Sequence, residues 1–188
     1  RFVVGQSTHN IELMFDQMYH ASLYYSRKGL AIQAISAIDY ALWDLLGKLR
    51  EEPVWAMTGG NMRVRQPTYV TGPRPDIAKQ MGFIGATIPL PYGHAHGERG
   101  LAENIALAQK WRDECGPGFM LAFDCSMALT AAYSLQLIER LEPLGFYWID
   151  ECLPPDDYDG YAKRVTQPSH LILISTGEHE YTRWEFEQ

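Results

Sequence analysis

The chain has 188 residues, 46% of them hydrophobic, which is enough to bury a core and too many for a disordered tail. Its formal net charge is −7, from 16 Lys and Arg against 23 Asp and Glu, and it has no dense basic run. That balance argues against a nucleic-acid surface.

The recurring pattern along the chain is a short apolar run, a turn, and then an amphipathic stretch. Residues 9–25 read as a helix, with Ile11, Met14, Phe15 and Met18 at helical spacing. Residues 32–49 form a longer one, with Ile35, Ile38, Leu42, Leu45 and Leu46 on one stripe and Pro53 stopping it. Residues 68–71 read as a first strand, 76–81 as a short helix and 86–90 as a second strand. A Gly-rich loop with His94 and His96 follows, then a helix over 101–115 ended by Gly116-Pro117-Gly118. Three further strands cover 119–123, 146–149 and 171–175, with helices expected over 129–143 and 156–167. Near-continuous apolar strands between helices mean a parallel sheet buried on both faces. A doubly wound open sheet and a (β/α)8 barrel both fit this pattern.

Cys115, Cys125 and Cys152 are too scattered for a disulfide scaffold or a zinc site and read as reduced thiols of an intracellular protein. No apolar run approaches the roughly 20 residues of a membrane span, and no signal peptide is visible. Both ends read as cut: the chain begins at Arg1 without Met and stops mid-pattern at Gln188.

Three consecutive strands lead into carboxylates: Asp124, Asp150 and Glu178, each one βα repeat from the next. Taken singly, each could simply cap the helix that follows. Three in phase at C-terminal strand ends can instead converge, and three hard oxygens suit Mg²⁺. His94 and His96 form His-x-His without an evident third ligand and read as a solvated loop rather than a zinc site. Gly59-Gly60 has neither phosphate-loop nor dinucleotide spacing, and Trp43 and Trp148 read as core.

The segment Trp148-Ile149-Asp150-Glu151-Cys152-Leu153-Pro154-Pro155-Asp156-Asp157-Tyr158 resembles the fourth barrel strand of the rhamnonate dehydratases of the enolase superfamily. Thr176-Gly177-Glu178-His179-Glu180 resembles their fifth, and Gly5–Asn10, Ala41–Lys48 and Lys79–Gly85 match as well, in the same order. The resemblance implies an α/β fold: about five βα units of a modified (β/α)8 TIM barrel, with the end of an α+β capping domain. Residues 1–52 would supply the end of the cap and the connecting helix, and residues 53–188 the first part of the barrel. It further implies that Asp124, Asp150 and Glu178 hold Mg²⁺, with His179 and Glu151 in pocket or supporting roles. The implied reaction is dehydration of a small sugar acid: a base removes the proton α to the carboxylate and the 3-hydroxyl then leaves. The base, a His in this family, is expected beyond Gln188. A cytoplasmic enzyme is implied, homo-oligomeric at full length and without nucleic-acid or membrane partners.

The chain departs from that pattern at three places. Asp150 stands where the family usually has Glu, shortening the reach to a metal. Strand alternation places Trp148 and Asp150 on one face and turns Glu151 to the other. Thr87 occupies a position where relatives tend to carry Lys, and Ser126 one where they often carry Trp. A dehydratase of another aldonate, or a truncated non-catalytic homologue, are the competing readings.

Overall fold

The computed structural model describes residues 2–60, 63–165 and 171–187. The chain forms two compact units, Arg1–Gln66 with Tyr181–Glu187, and Pro67–Glu180.

In the first unit, α1 (Ile11–Ser22) and α2 (Leu30–Arg50) pack through the stripes that their sequences set out. Ile11 and Met14 meet Leu42 and Leu46 in one cluster, while Met18 meets Ile32 and Ile35 in another. Glu51 ends α2 in the left-handed region at φ 54°, its amide donating to the carbonyls of Gly47 and Lys48. Pro53 then opens α3 (Val54–Met57), a single turn too short to show a period in the sequence. By length and composition α2 could cross a membrane, which amends the expectation that no such segment exists. Its apolarity has another use, because the buried side chains form one stripe and Asp39, Asp44 and Lys48 lie on the same helix.

The second unit is a five-stranded sheet, β1 (Tyr69–Thr71), β2 (Gly85–Pro89), β3 (Met120–Asp124), β4 (Trp148–Asp150) and β5 (Leu173–Ser175). All neighbours are parallel and the strand order follows the chain, β1-β2-β3-β4-β5. Helices α4 (Pro75–Gln80), α5 (Gly97–Cys115), α6 (Ala131–Leu141) and α7 (Tyr158–Val165) fill the crossovers. The helix expected over 156–167 runs at its far end into residues outside those described.

One sheet face packs on the helices. Ala86, Ile88, Leu121, Phe123, Ile149 and Ile172 point there, into a core shared with Leu101, Leu137, Ile138 and Leu141. Gly85 lets β2 and β3 come close, since a Cβ there would lie 2.7 Å from the Met120 backbone oxygen. On the other face, Thr87, Ala122 and Trp148 form one row across β2, β3 and β4. The central strands are buried, whereas Tyr69 on β1 and Leu173 on β5 are about half exposed, as expected for edges.

Two polar devices lock the helical layer. Asn104, fully buried on α5, accepts from the Tyr92 amide and donates to the Tyr92 carbonyl and the Tyr133 hydroxyl. Arg112 donates to the carbonyls of Leu144, Gly116, Phe119 and Gly145 at 2.6–2.8 Å, closing the turns at the sheet's N-terminal end. Cys115, Cys125 and Cys152 are all buried.

Candidate functional site

The carboxylates Asp124 and Asp150 end their strands as direct partners in the parallel ladder, with Pro89 and Ser175 on either side of them in that row. Neighbouring strands lie about 4.8 Å apart, so the two Asp side chains leave the sheet side by side, one level beyond the Thr87–Ala122–Trp148 row.

The chain then turns sharply at each strand exit. Asp124 Oδ1 accepts from the Ser126 amide at 3.0 Å and the Ser126 hydroxyl at 3.2 Å. Ser126 and Met127 take φ of 47° and 59°, a left-handed pair that bends the main chain back over the strand end. Main-chain bonds lace this turn to its neighbours: the Cys125 amide donates to the Asp150 carbonyl at 2.8 Å, and the Met127 amide to the Glu151 carbonyl at 2.6 Å. Burial pushes the Cys125 thiol well up from its ordinary range, with Cys152, Asp124 and Asp150 adding to the effect. It therefore stays protonated and offers no nucleophile.

Glu151 does not continue the strand. It stands at φ 45°, its amide donating to the Ser175 carbonyl at 2.9 Å. Alternation turned it away from Asp150 on the assumption of extended backbone, and a left-handed residue past the strand end falls outside that rule. Its side chain is 2% exposed. Oε1 accepts from the Gly177 amide at 2.7 Å and the Glu178 amide at 3.3 Å, and Oε2 is buried without a protein partner. Gly177, at φ 112°, occupies a region that other residues rarely adopt.

Glu178 lies three residues beyond β5, and its side chain is 70% exposed, with Oε1 at 3.4 Å from His179 Nε2. Among the described residues, no three His, Cys, Asp or Glu side chains are gathered closely enough to hold a metal ion. The structure thus pairs Asp124 with Asp150 in the ladder, and the Glu178 carboxylate lies beside His179. His94 and His96 sit in a short 3-10 turn, their Nδ1 atoms bonded to the carbonyls of Ala128 at 2.7 Å and Gly93 at 3.2 Å.

Sequence reasoning missed two parts of this arrangement. The Asp-x-Ser spacing at 124–126 is the signal of a side-chain-to-backbone turn and could have been read as one. The bonds from Glu151 to the β5 exit carry no local signal, because the residues joined are distant in sequence.

Residues 85–188 match the family model described as enolase C-terminal domain-like, and residues 1–59 match that of the mandelate racemase / muconate lactonizing enzyme N-terminal domain. The chain is 47% identical to the L-rhamnonate dehydratase of Saccharopolyspora erythraea over 186 residues, 99% of this chain and 48% of that protein. The crystal structure of rhamnonate dehydratase from Gibberella zeae complexed with Mg is similar at TM-score 0.94 and 45% identity, covering 100% of this chain and 46% of that one. The 3,6-anhydro-D-galactonate cycloisomerase from Zobellia galactanivorans is similar at TM-score 0.89 and 31% identity, over 99% of this chain and 53% of that one. The chain thus spans about half the length of these relatives.

Proposed function

We propose, from the premise that this chain belongs to the enolase-like family of mandelate racemase and muconate lactonizing enzyme, that it is part of a Mg²⁺-dependent sugar-acid dehydratase. The substrate we infer is L-rhamnonate, converted to 2-keto-3-deoxy-L-rhamnonate in the cytoplasm. The 47% identity to an L-rhamnonate dehydratase across 99% of this chain carries the choice of substrate.

The donor set fits the metal. Asp124 and Asp150 are paired in register and Glu178 follows on the adjacent strand exit, so every donor is a hard carboxylate oxygen, the chemistry Mg²⁺ prefers. Asp124, Asp150 and Glu178 would hold the ion. When bound, it supplies positive charge against the negative charge that develops as the α-proton of the sugar acid is lost. Ser126 orients Asp124 through two hydrogen bonds, which fixes the carboxylate before the ion arrives. Asp150 is one methylene shorter than Glu, which shortens its reach as one of the residues that would hold the ion. The base that takes the α-proton is assigned to a His on a strand beyond Gln188, and loss of the 3-hydroxyl then completes the dehydration.

A second reading, dehydration of a different aldonate, rests on Thr87 and Ser126. Ser126 flanks the Asp124 carboxylate where related enzymes often place Trp, and Thr87 lies one level below, where they tend to place Lys. Either change would reshape the pocket. The test is a semicarbazide assay for 2-keto product, run on the full-length protein with a panel of aldonates, with Mg²⁺ and with chelator. Product from L-rhamnonate that vanishes with chelator supports the first reading. Product from another aldonate alone moves the assignment to the second, and no product from any of them removes both.

A further inference from the structure

We propose, resting on the assignment of Asp124, Asp150 and Glu178 to the metal, that Glu151 is the positioning residue of that site. Its buried carboxylate fixes the course of the β5 exit turn and thereby places the Glu178 side chain relative to the paired Asp residues.

Three observations carry this. Glu151 is 2% exposed, and a buried carboxylate is costly unless it is bonded. An apolar side chain would fill the same space without that cost, so what the carboxylate adds lies in the amides it holds. Those amides belong to Gly177 and Glu178, two consecutive peptide groups that a single acceptor atom, Oε1, orders at once. Fixing both peptide planes fixes the direction in which the Glu178 side chain leaves the main chain.

The second observation is the main chain of Glu151 itself. Its carbonyl accepts from Met127 in the exit turn of β3, and its amide donates to Ser175 at the end of β5. One residue thus bonds to the exits of both strands that flank β4. The third is its backbone, held at φ 45°, a conformation that costs a non-glycine residue energy and persists only where surrounding bonds enforce it. Oε1 is committed to two donors, so the role assigned to that oxygen is to orient Glu178, a role in which Oε2, buried without a protein partner, takes no part. Glu178, by contrast, has a carboxylate 70% exposed, its Oε1 3.4 Å from His179 Nε2, on a main chain held in place.

The test reads metal binding without turnover, in the full-length protein, by calorimetry with Mg²⁺ and by electron paramagnetic resonance with Mn²⁺. Glu151→Ala is expected to weaken binding about 10- to 100-fold, the usual cost of removing a group that orients a ligand. Glu151→Gln keeps a carbonyl acceptor of the same reach and is expected to recover most of that loss. Glu151→Asp keeps the charge but is one methylene short, and is expected to bind nearly as weakly as the Ala variant. Gln falling as far as Ala overturns the proposal, because charge rather than the two amides then matters. Wild-type affinity in Ala and Asp overturns it as well. If the Ala variant does not fold, the order of Gln above Asp decides. Asp124→Ala separates the proposal from its premise: wild-type metal affinity there removes the metal assignment, whereas lost affinity there with Glu151→Ala unaffected removes only the role of Glu151.

Discussion

The indole of Trp148 on β4 meets the ring of Tyr69 on β1 edge to face, with centroids 4.9 Å apart, although β2 and β3 lie between them. In a flat sheet those positions stand three strand spacings and two residues of register apart, roughly 16 Å. The rings close that distance by leaning over Thr87 and Ala122, both nearly or fully buried, and the sheet must curl with this face concave. Five parallel strands curled in chain order form an arc of a barrel wall.

That contact predicts a stability effect. Trp148→Ala is expected to cost about 3–5 kcal/mol, the range for deleting a buried aromatic. The Tyr69 contact accounts for about 0.5–1.5 kcal/mol of it. Urea unfolding of Trp148→Ala, Tyr69→Ala and the double variant measures both. A coupling energy of zero would mean that the two rings do not support one another.

The metal assignment predicts that Asp150→Glu tightens Mg²⁺ binding in the full-length protein, since the added methylene restores reach. Asp124→Ala and Glu178→Ala should abolish binding measurable by titration calorimetry. Asp150→Ala with unchanged affinity would require the ligand set to be redrawn.

This 188-residue chain alone should turn over no sugar acid, because the base is assigned elsewhere. The semicarbazide assay on the purified chain, with Mg²⁺ present, checks this, and measurable product would show that the base has been misplaced.

Tyr161 predicts a pH dependence at the alkaline end. Its hydroxyl donates to the Leu153 carbonyl at 2.7 Å and accepts from the Leu153 amide at 3.1 Å. Burial is the main reason its ionisation is pushed up from 10 to about 12. The folded state therefore keeps the proton after the unfolded chain has lost it. The stabilisation is complete below pH 10 and is lost as pH rises toward about 12. Tyr161→Phe should flatten the fall in urea midpoint across that window, and an unchanged slope would assign the alkaline loss to other groups.

Arg112 predicts a defect at the opposite end of the sheet. Arg112→Lys leaves a cation but cannot serve four carbonyls spread across two turns. A loss of about 1–3 kcal/mol is expected for the acceptors left without a donor. Metal affinity should stay unchanged, and thermal unfolding alongside metal titration separates the two.

The order and type of the elements were legible because apolar spacing switches between the helical and strand periods at each turn. Strand starts were less so. Residues 146–149 read as one strand, yet the ladder begins at Trp148: Phe146 is already buried in the helix-facing core, and the Tyr147 amide only reaches the Leu121 carbonyl. The pairing of Asp124 with Asp150 followed from strand phase. The placing of Glu178 and Glu151 did not, because both lie past strand ends, where side-chain direction depends on turn geometry and on partners remote in sequence. Among the described residues no three His, Cys, Asp or Glu side chains are gathered closely enough to hold a metal, and the convergence of Asp124, Asp150 and Glu178 expected from strand ends, spacing and resemblance belongs to the proposal.

The turn after Asp124 is tied to its neighbours by main-chain atoms, Cys125 to Asp150 and Met127 to Glu151. Such ties are indifferent to which side chains the turn displays. Position 126 can therefore exchange one side chain for another, subject to the left-handed backbone that disfavours β-branched residues, with the main chain of the turn kept and only the hydroxyl bond to Asp124 lost. This divides the labour: the main chain fixes where the Asp124 strand end lies, and the side chain at 126 adjusts only how firmly its carboxylate is held.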